Sequence, residues 1–260
     1  MRSHNAIAVI PARFDSSRFP GKLLADLGGR PLIQWAYESV LRAARIDAVY
    51  VVTDSERILR TCLEFGAEVI LDPTPQVCGS DRVAALARQV EADLVINLQA
   101  DEPMMDPGLV DALVERMEES GSAFASAVAP IRSMQDFLDP NVVKVVLDAA
   151  GDALYFSRAP IPRPRDVELD PGGEWPEGLV ALKHIGIYAY RRADLLDMAS
   201  APRSPLEVQE NLEQLRILQR GGKIRIIEWN YHGIGVDTLE DLERLRAELR
   251  ELGAVPQREE

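Results

Sequence analysis

Three cations sit in one short segment of this chain. Arg13, Arg18 and Lys22 fall within Pro11-Ala12-Arg13-Phe14-Asp15-Ser16-Ser17-Arg18-Phe19-Pro20-Gly21-Lys22, and Ser16 and Ser17 add hydroxyl donors. Such a group can hold a polyphosphate, because cations neutralise its charge as a transition state forms. Two carboxylates lie far away in the chain. Asp101 stands in Asn97-Leu98-Gln99-Ala100-Asp101-Glu102-Pro103, and Asp237 stands in Gly235-Val236-Asp237. Mg²⁺ takes one or two carboxylates plus phosphate oxygens and water, so Asp101 and Asp237 are candidate ligands for it. Each segment has a plainer reading too. A basic loop can be merely solvated, and an Asp after a strand or before a helix can be merely a cap.

Two commoner phosphate motifs are excluded. Gly21-Lys22 is followed by Leu23 with no upstream glycine at Walker A spacing, and no GxGxxG follows the first apolar run. A further polar row lies in Lys183-His184-Ile185-Gly186-Ile187-Tyr188. Strand alternation puts His184, Gly186 and Tyr188 on one face, as a ligand wall would require.

The cations matter more because of their background. The 260-residue chain has 29 Lys and Arg against 42 Asp and Glu, a formal net charge of −13. That excludes non-specific binding to nucleic acid or an anionic membrane surface, so an anionic ligand needs a local basic cluster. Only four lysines occur: Lys22, Lys144, Lys183 and Lys223. Cys62 and Cys78 form no CxxC pair, so neither a zinc nor a redox motif is present. No apolar run is long enough to cross a bilayer, and the first residues lack a signal-type apolar region, so a soluble, cytoplasmic protein is expected.

The elements that must position these residues alternate. Ala6 to Ile10 reads as a buried strand ended by Pro11. A helix opening at Pro31 follows, then strands at Ala48 to Thr53, Glu68 to Leu71 and Leu94 to Leu98. Between them lie helices capped at Asp54 or Ser55, stopped at Gly66, capped at Ser80, and opened at Asp106-Pro107. Strand-helix alternation with short links predicts an α/β fold whose sheet is mainly parallel and covered on both faces, a three-layer Rossmann-like arrangement. The second half predicts an inserted antiparallel part at about 124–190. Its strands are Phe124 to Ala129, Val142 to Asp148, Ala153 to Phe156 and His184 to Tyr190, with a hairpin turn at Gly151. Pro160 to Pro176 reads as a mobile surface loop. One helix is expected from Pro205 through Leu218, closed by Gly221-Gly222. A last strand, Ile224 to Trp229, precedes a helix opened by a Thr238/Asp241 capping box. No linker divides the chain, so a single domain over 1–260 is expected.

In order along the chain, PARFDSSRFPGK, CGSDR, NLQADEP, NVVKVVLD, ALYFSRAPIP, KHIGIYAY, SPLE, LEQLRIL and GVDT make a set. Together they closely resemble the 3-deoxy-manno-octulosonate cytidylyltransferases, the CMP-Kdo synthetase family of lipopolysaccharide biosynthesis. The resemblance implies a nucleotidyltransferase fold, CTP and the acidic sugar Kdo as substrates, Mg²⁺, and a homodimer. It implies phosphate binding by Arg13 and Lys22, and substrate contacts from Ala12, Ser16 and Arg18. Ser80 and Arg82 would lie by the cytosine nucleotide, and Asp101 and Asp237 would hold the metal. Gln99, His184, Tyr188, Glu213 and Gln214 would line the sugar site. One departure is Ala100, where the family usually has glycine. Relatives of the family use other acids, so phosphonoformate and 8-amino-Kdo are alternative acceptors. A non-catalytic nucleotide-binding protein is the remoter alternative, against which the joint presence of Lys22, Asp101 and Asp237 argues.

Overall fold

A computed structural model describes residues 4–15, 18–76, 78–231 and 233–254. The chain forms two compact units, residues 1–114 with 232–260, and residues 115–231. The class is mixed α/β, with mostly parallel pairing and some antiparallel strands, as the alternation predicts.

In chain order the first unit carries β1 (Ala6–Ala12), α1 (Leu32–Val40), β2 (Ala48–Thr53), α2 (Glu56–Glu64), β3 (Glu68–Leu71), α3 (Gly79–Ala87) and β4 (Leu94–Leu98). Then comes α4 (Pro107–Ser120). The strands lie in the order β3-β2-β1-β4, and every pair within this unit is parallel. Apolar runs explain it. Ala6, Ile7, Ala8, Val9 and Ile10 are buried along β1, as are all five residues of β4, and strands covered on both faces need no polar alternation.

Two local expectations change. β1 does not end at Pro11 but continues to Ala12, opposite Thr53 of β2. β4 pairs with β1 only as far as Val9, so the missing N–H of Pro11 deprives no β4 partner. Ser80 does not cap α3: the helix starts at Gly79 after Cys78, which makes no side-chain cap. By contrast Ser55 does cap α2, accepting from Arg57 N–H at 3.2 Å, and Gly66 stops it at φ 78°.

The second unit carries β5 (Phe124–Pro130), α5 (Met134–Leu138), β6 (Lys144–Leu147), β7 (Ala153–Ser157) and β8 (Leu182–Arg191). They are followed by α6 (Arg192–Ser200), α7 (Pro205–Glu210), α8 (Leu215–Gln219) and β9 (Ile224–Glu228). β5 is antiparallel to β8 and parallel to β9, and β6 is antiparallel to both β7 and β8. The single helix expected from Pro205 is two helices, because Asn211 takes the left-handed conformation at φ 51° and ends α7. The stretch 160–176 has no helix or strand, yet it is anchored. Leu169 and Trp175 pack on the cluster of Ile131, Met134, Phe137 and Ala181, with the Trp175 and Phe137 rings edge-on at 5.7 Å.

The ladder between β5 and β8 is irregular at one place. Ala127 lies opposite Ile185, but the next residue, Ser126, lies opposite Tyr188. Two residues of β8, Gly186 and Ile187, therefore bulge out of register.

The chain then returns to the first unit with α9 (Leu239–Glu251), opened by the expected capping box of Thr238 and Asp241. No helix among the described residues is long and apolar enough to cross a membrane.

Candidate active site

In the first unit the basic loop turns back on itself. Gly21 adopts φ 71° and its N–H bonds the Phe14 carbonyl at 3.2 Å. An L-residue with a Cβ is strained at that φ, which is why glycine precedes the lysine. Lys22 then opens a single 3₁₀ turn, Lys22–Leu24, with its side chain pointing away from bulk water.

Two acidic segments meet that side chain. The Val236 N–H bonds the Asp101 carbonyl at 2.9 Å, so the backbone after β4 is tied to the backbone before α9. Lys22 Nζ donates to Asp101 Oδ2 at 2.6 Å and to Asp237 Oδ1 at 2.9 Å. Arg18 Nη2 donates to the other Asp237 oxygen at 2.8 Å. Burial by itself would lower the Lys22 pKa, but Asp101, and after it Asp237, outweigh that and hold it above the usual value. Lys22 is therefore a fixed ammonium between two carboxylates.

The donor set suits a hard divalent cation. Two carboxylates from separate segments already converge on one positive charge. No group of three or more His, Cys, Asp or Glu side chains able to hold a metal occurs among the described residues. Two carboxylates are a number that Mg²⁺ takes when phosphate oxygens and water complete its shell.

The other first-unit candidates are placed as follows. Arg13 is half-buried and donates to the Gln76 carbonyl at 3.3 Å. Ala12 is buried at the end of β1. Ser16 lies outside the described residues. Gln99 is exposed just after β4, and Ala100 beside it is buried. Ser80 is buried and accepts from Asn97 Nδ2 at 3.3 Å.

Arg82 is enclosed by protein groups. Its side chain is 2% exposed. Nη2 binds Asp54 Oδ2 at 2.8 Å and Nη1 binds the Asp72 carbonyl at 2.9 Å, while Nε is buried without a partner. It joins the residues that follow β2 and β3, which is a strut's work.

In the second unit the bulge of β8 sets the geometry. Four strand residues span about 13 Å, yet the His184 and Tyr188 ring centroids are 5.1 Å apart. The bulge removes the intervening pair from the ladder, so His184 and Tyr188 face Val128 and Ser126, neighbours on one face of β5. Phe156 also meets His184, edge-on at 5.2 Å. Burial lowers the His184 pKa to about 3, so the imidazole is neutral at ordinary pH. Glu213 and Gln214 follow the αL turn at Asn211. Gln214 is 3% exposed, and its Nε2 donor has no partner. A buried donor left unmet costs free energy until something accepts from it.

The pattern after Pro205 predicts that Glu207, Glu210, Glu213, Gln214 and Arg216 mostly face solvent, but Glu207, Gln214 and Arg216 are buried and Glu210 and Glu213 half-buried, because partners along the chain enclose them. Glu210 accepts from Ser157 Oγ at 2.8 Å and from the Arg158 N–H at 3.0 Å. Arg158 Nε donates to the Glu210 carbonyl at 2.7 Å. Behind them Glu207 and Arg216 form a buried two-pronged ion pair at 2.7 and 2.8 Å. Ser126 binds both His184 and the Ile187 carbonyl. A lone serine within the apolar run Ala125-Ser126-Ala127-Val128 was the available signal for these contacts.

A parallel sheet with a cationic loop after its first strand, met by one carboxylate from beyond its fourth strand and one from before α9, has the layout of a nucleotidyltransferase-type site. The chain belongs to the cytidylyltransferase family, whose sequence profile matches residues 7–224. It is 46% identical over 246 residues to the 3-deoxy-manno-octulosonate cytidylyltransferase of Syntrophotalea carbinolica, covering 94% of this chain and 98% of that protein. The protein of the same description from Geobacter sulfurreducens is 43% identical over 249 residues, 95% of this chain and all (100%) of that one. Among solved structures, CMP:2-keto-3-deoxy-manno-octonic acid synthetase complexed with CTP superposes with a TM-score of 0.87. It is 41% identical, and the match spans 95% of this chain and 99% of that one.

Proposed function

We propose that this protein transfers CMP from CTP to the anomeric hydroxyl of Kdo, releasing pyrophosphate, as an Mg²⁺-dependent step of lipopolysaccharide biosynthesis. The observation that carries the reading is the convergence of Asp101 and Asp237 on Lys22, in a chain that shares its family along nearly its whole length. Asp101 and Asp237 would hold Mg²⁺, which when bound supplies charge neutralisation and Lewis acidity at the phosphate. The rest of the work falls to the chain. An in-line displacement forms a bond between the anomeric oxygen and the α-phosphorus, breaks the bond to pyrophosphate and releases the hydroxyl proton to solvent. It needs positioning and charge stabilisation more than covalent help. Lys22, Arg13 and Arg18 would bind the triphosphate and stabilise charge moving onto the leaving group. In the second unit His184, Tyr188, Glu213 and Gln214 would recognise the acid. Arg82 would act on the nucleotide only indirectly, by fixing the segments after β2 and β3. We further propose that the enzyme works in the cytoplasm as a homodimer, a state that light scattering of the purified protein would show.

An acceptor panel tests this reading. Purified protein, CTP and Mg²⁺ are incubated with Kdo, 8-amino-Kdo or phosphonoformate, and pyrophosphate release is followed with and without EDTA. Kdo should give the highest kcat/KM, and EDTA should abolish turnover. Product from another acid with none from Kdo would overturn the acceptor assignment. CTP binding without pyrophosphate from any acid would overturn the enzyme reading.

A further inference from the structure

The Ser126 hydroxyl has one proton to give. It lies 2.7 Å from the Ile187 carbonyl, which can only accept, so the proton goes there. Ser126 Oγ is also 2.8 Å from His184 Nε2. With the hydroxyl proton already committed, that contact is a hydrogen bond only if Nε2–H donates and Oγ accepts. A neutral imidazole carries one N–H, so Nδ1 must then hold a lone pair. Nδ1 makes no hydrogen bond among the described residues, and His184 as a whole is half-buried. Two aromatic rings pack against the imidazole and restrain its turning over, Phe156 at 5.2 Å and 81° and Tyr188 at 5.1 Å and 51°.

We infer that Ser126 is a positioning residue that fixes His184 as its Nε2–H tautomer, so that Nδ1 is presented as an acceptor to a hydroxyl of the acid substrate rather than as a donor to its carboxylate. The substrate half of this inference rests on the reading of His184 as an acceptor-site residue; the tautomer half does not. The β8 bulge is what makes the device possible. It places the Ile187 carbonyl within reach of Ser126 while keeping His184 over the same face of β5. Bulges are found beside active sites because they re-aim side chains in this way. The chemistry that follows is selective. A neutral acceptor lone pair rewards an O–H and repels a carboxylate, so charge recognition of the acid must come from other groups.

The test begins on the unaltered protein. Ring-¹⁵N-histidine labelling gives only three side chains to resolve, and His184→Gln identifies the relevant signals. Long-range ¹H–¹⁵N correlation at pH 7 should show His184 with a protonated Nε2 and a pyridine-type Nδ1. An Nδ1–H tautomer or an imidazolium overturns the inference, whatever the protein catalyses. Ser126→Ala should release the tautomer to a mixture. It should raise KM for the acid that the acceptor panel identifies about tenfold, the worth of one hydrogen bond, with KM for CTP unchanged. Ser126→Thr, which keeps the hydroxyl, should restore both the spectrum and KM. An unchanged acid KM in Ser126→Ala, or an equal rise for CTP, overturns the substrate half. Failure of Kdo as a substrate would instead remove the proposed acceptor and leave the spectroscopic result standing.

Discussion

In the proposed site a metal ion would compete with Lys22 for the same two carboxylates, which gives removal of Lys22 an unusual expected sign. In Lys22→Met the side chain keeps its length and loses its charge. The wild-type ammonium donates to Asp101 at 2.6 Å and to Asp237 at 2.9 Å. A hydrogen bond between charged groups is worth about 1.5–3 kcal/mol. The Asp101 contact is well enclosed and takes that figure. The Asp237 side chain is 45% exposed, so solvent screening cuts its share to about 0.5–1 kcal/mol. A divalent ion entering the wild-type pair must displace the ammonium and forgo about 2–4 kcal/mol. At about 1.4 kcal/mol per decade, the low end is about thirtyfold. Lys22→Met should therefore bind Mn²⁺ in the absence of nucleotide at least about thirtyfold more tightly than wild type, while its turnover collapses. Electron paramagnetic resonance titration of free Mn²⁺ measures the first, and pyrophosphate release the second. Mn²⁺ affinity that is unchanged or weaker in Lys22→Met would refute the idea that ammonium and metal share one place.

Asp101→Asn should lower kcat by about a thousandfold, the several kcal/mol that a metal contributes to charge stabilisation. Its thermal melt should fall by only a few degrees, because the Asn oxygen can still accept from Lys22 and the residue 101 carbonyl still accepts from Val236; near-normal turnover would remove Asp101 from the site. Glu207→Gln should cost about 3–5 kcal/mol in urea unfolding, since it strands the charge of Arg216 in a place where both side chains are no more than 2% exposed. Burial pushes the Glu207 carboxyl pKa up, but hydrogen bonds from Arg216, then from the Ser204 N–H and Arg203, prevail and hold it below the usual value. The unfolded carboxyl titrates near 4.3. The stability that Glu207 contributes is thus complete above about pH 4.3 and is lost as pH falls through the depressed folded value. Glu207→Gln should lack that portion of the acid-unfolding curve, and an acid limb identical to wild type would contradict it.

The sequence was most legible where burial is two-sided. Apolar runs at Ala6–Ala12 and Leu94–Leu98 permit little but covered parallel strands. The Lys22 loop and the two acidic segments were legible as chemistry because three cations in an acidic chain need a reason. What stayed hidden depends on partners far along the chain. The two-residue bulge in β8 is set by its register against β5, and no periodicity within Lys183–Tyr190 reveals it. The break at Asn211 is a single left-handed residue inside an apolar pattern that reads as one helix. The partners that enclose Arg82 of the CGSDR segment, Asp54 and the Asp72 carbonyl, lie 28 and 10 positions away and follow other strands, so the segment alone does not reveal them. The stretch around Trp175 looks mobile by its proline and glycine content, and only the Phe137 cluster shows that it is pinned.

The first unit is assembled from two stretches of chain that flank the second. Lys22 and Asp237 are 215 positions apart. Closing so long a span costs little at equilibrium, since loop entropy grows only with the logarithm of length. In time the cost is different. During synthesis the basic loop and Asp101 emerge early, and the whole second unit must follow before Asp237 exists to join them. A nascent chain thus exposes a cation loop with one of its two carboxylates for most of its elongation. The pairing of Asp101 with Asp237 proposed to hold a metal would arise only once residue 237 has been made, so the site would be armed late in synthesis, after the whole second unit.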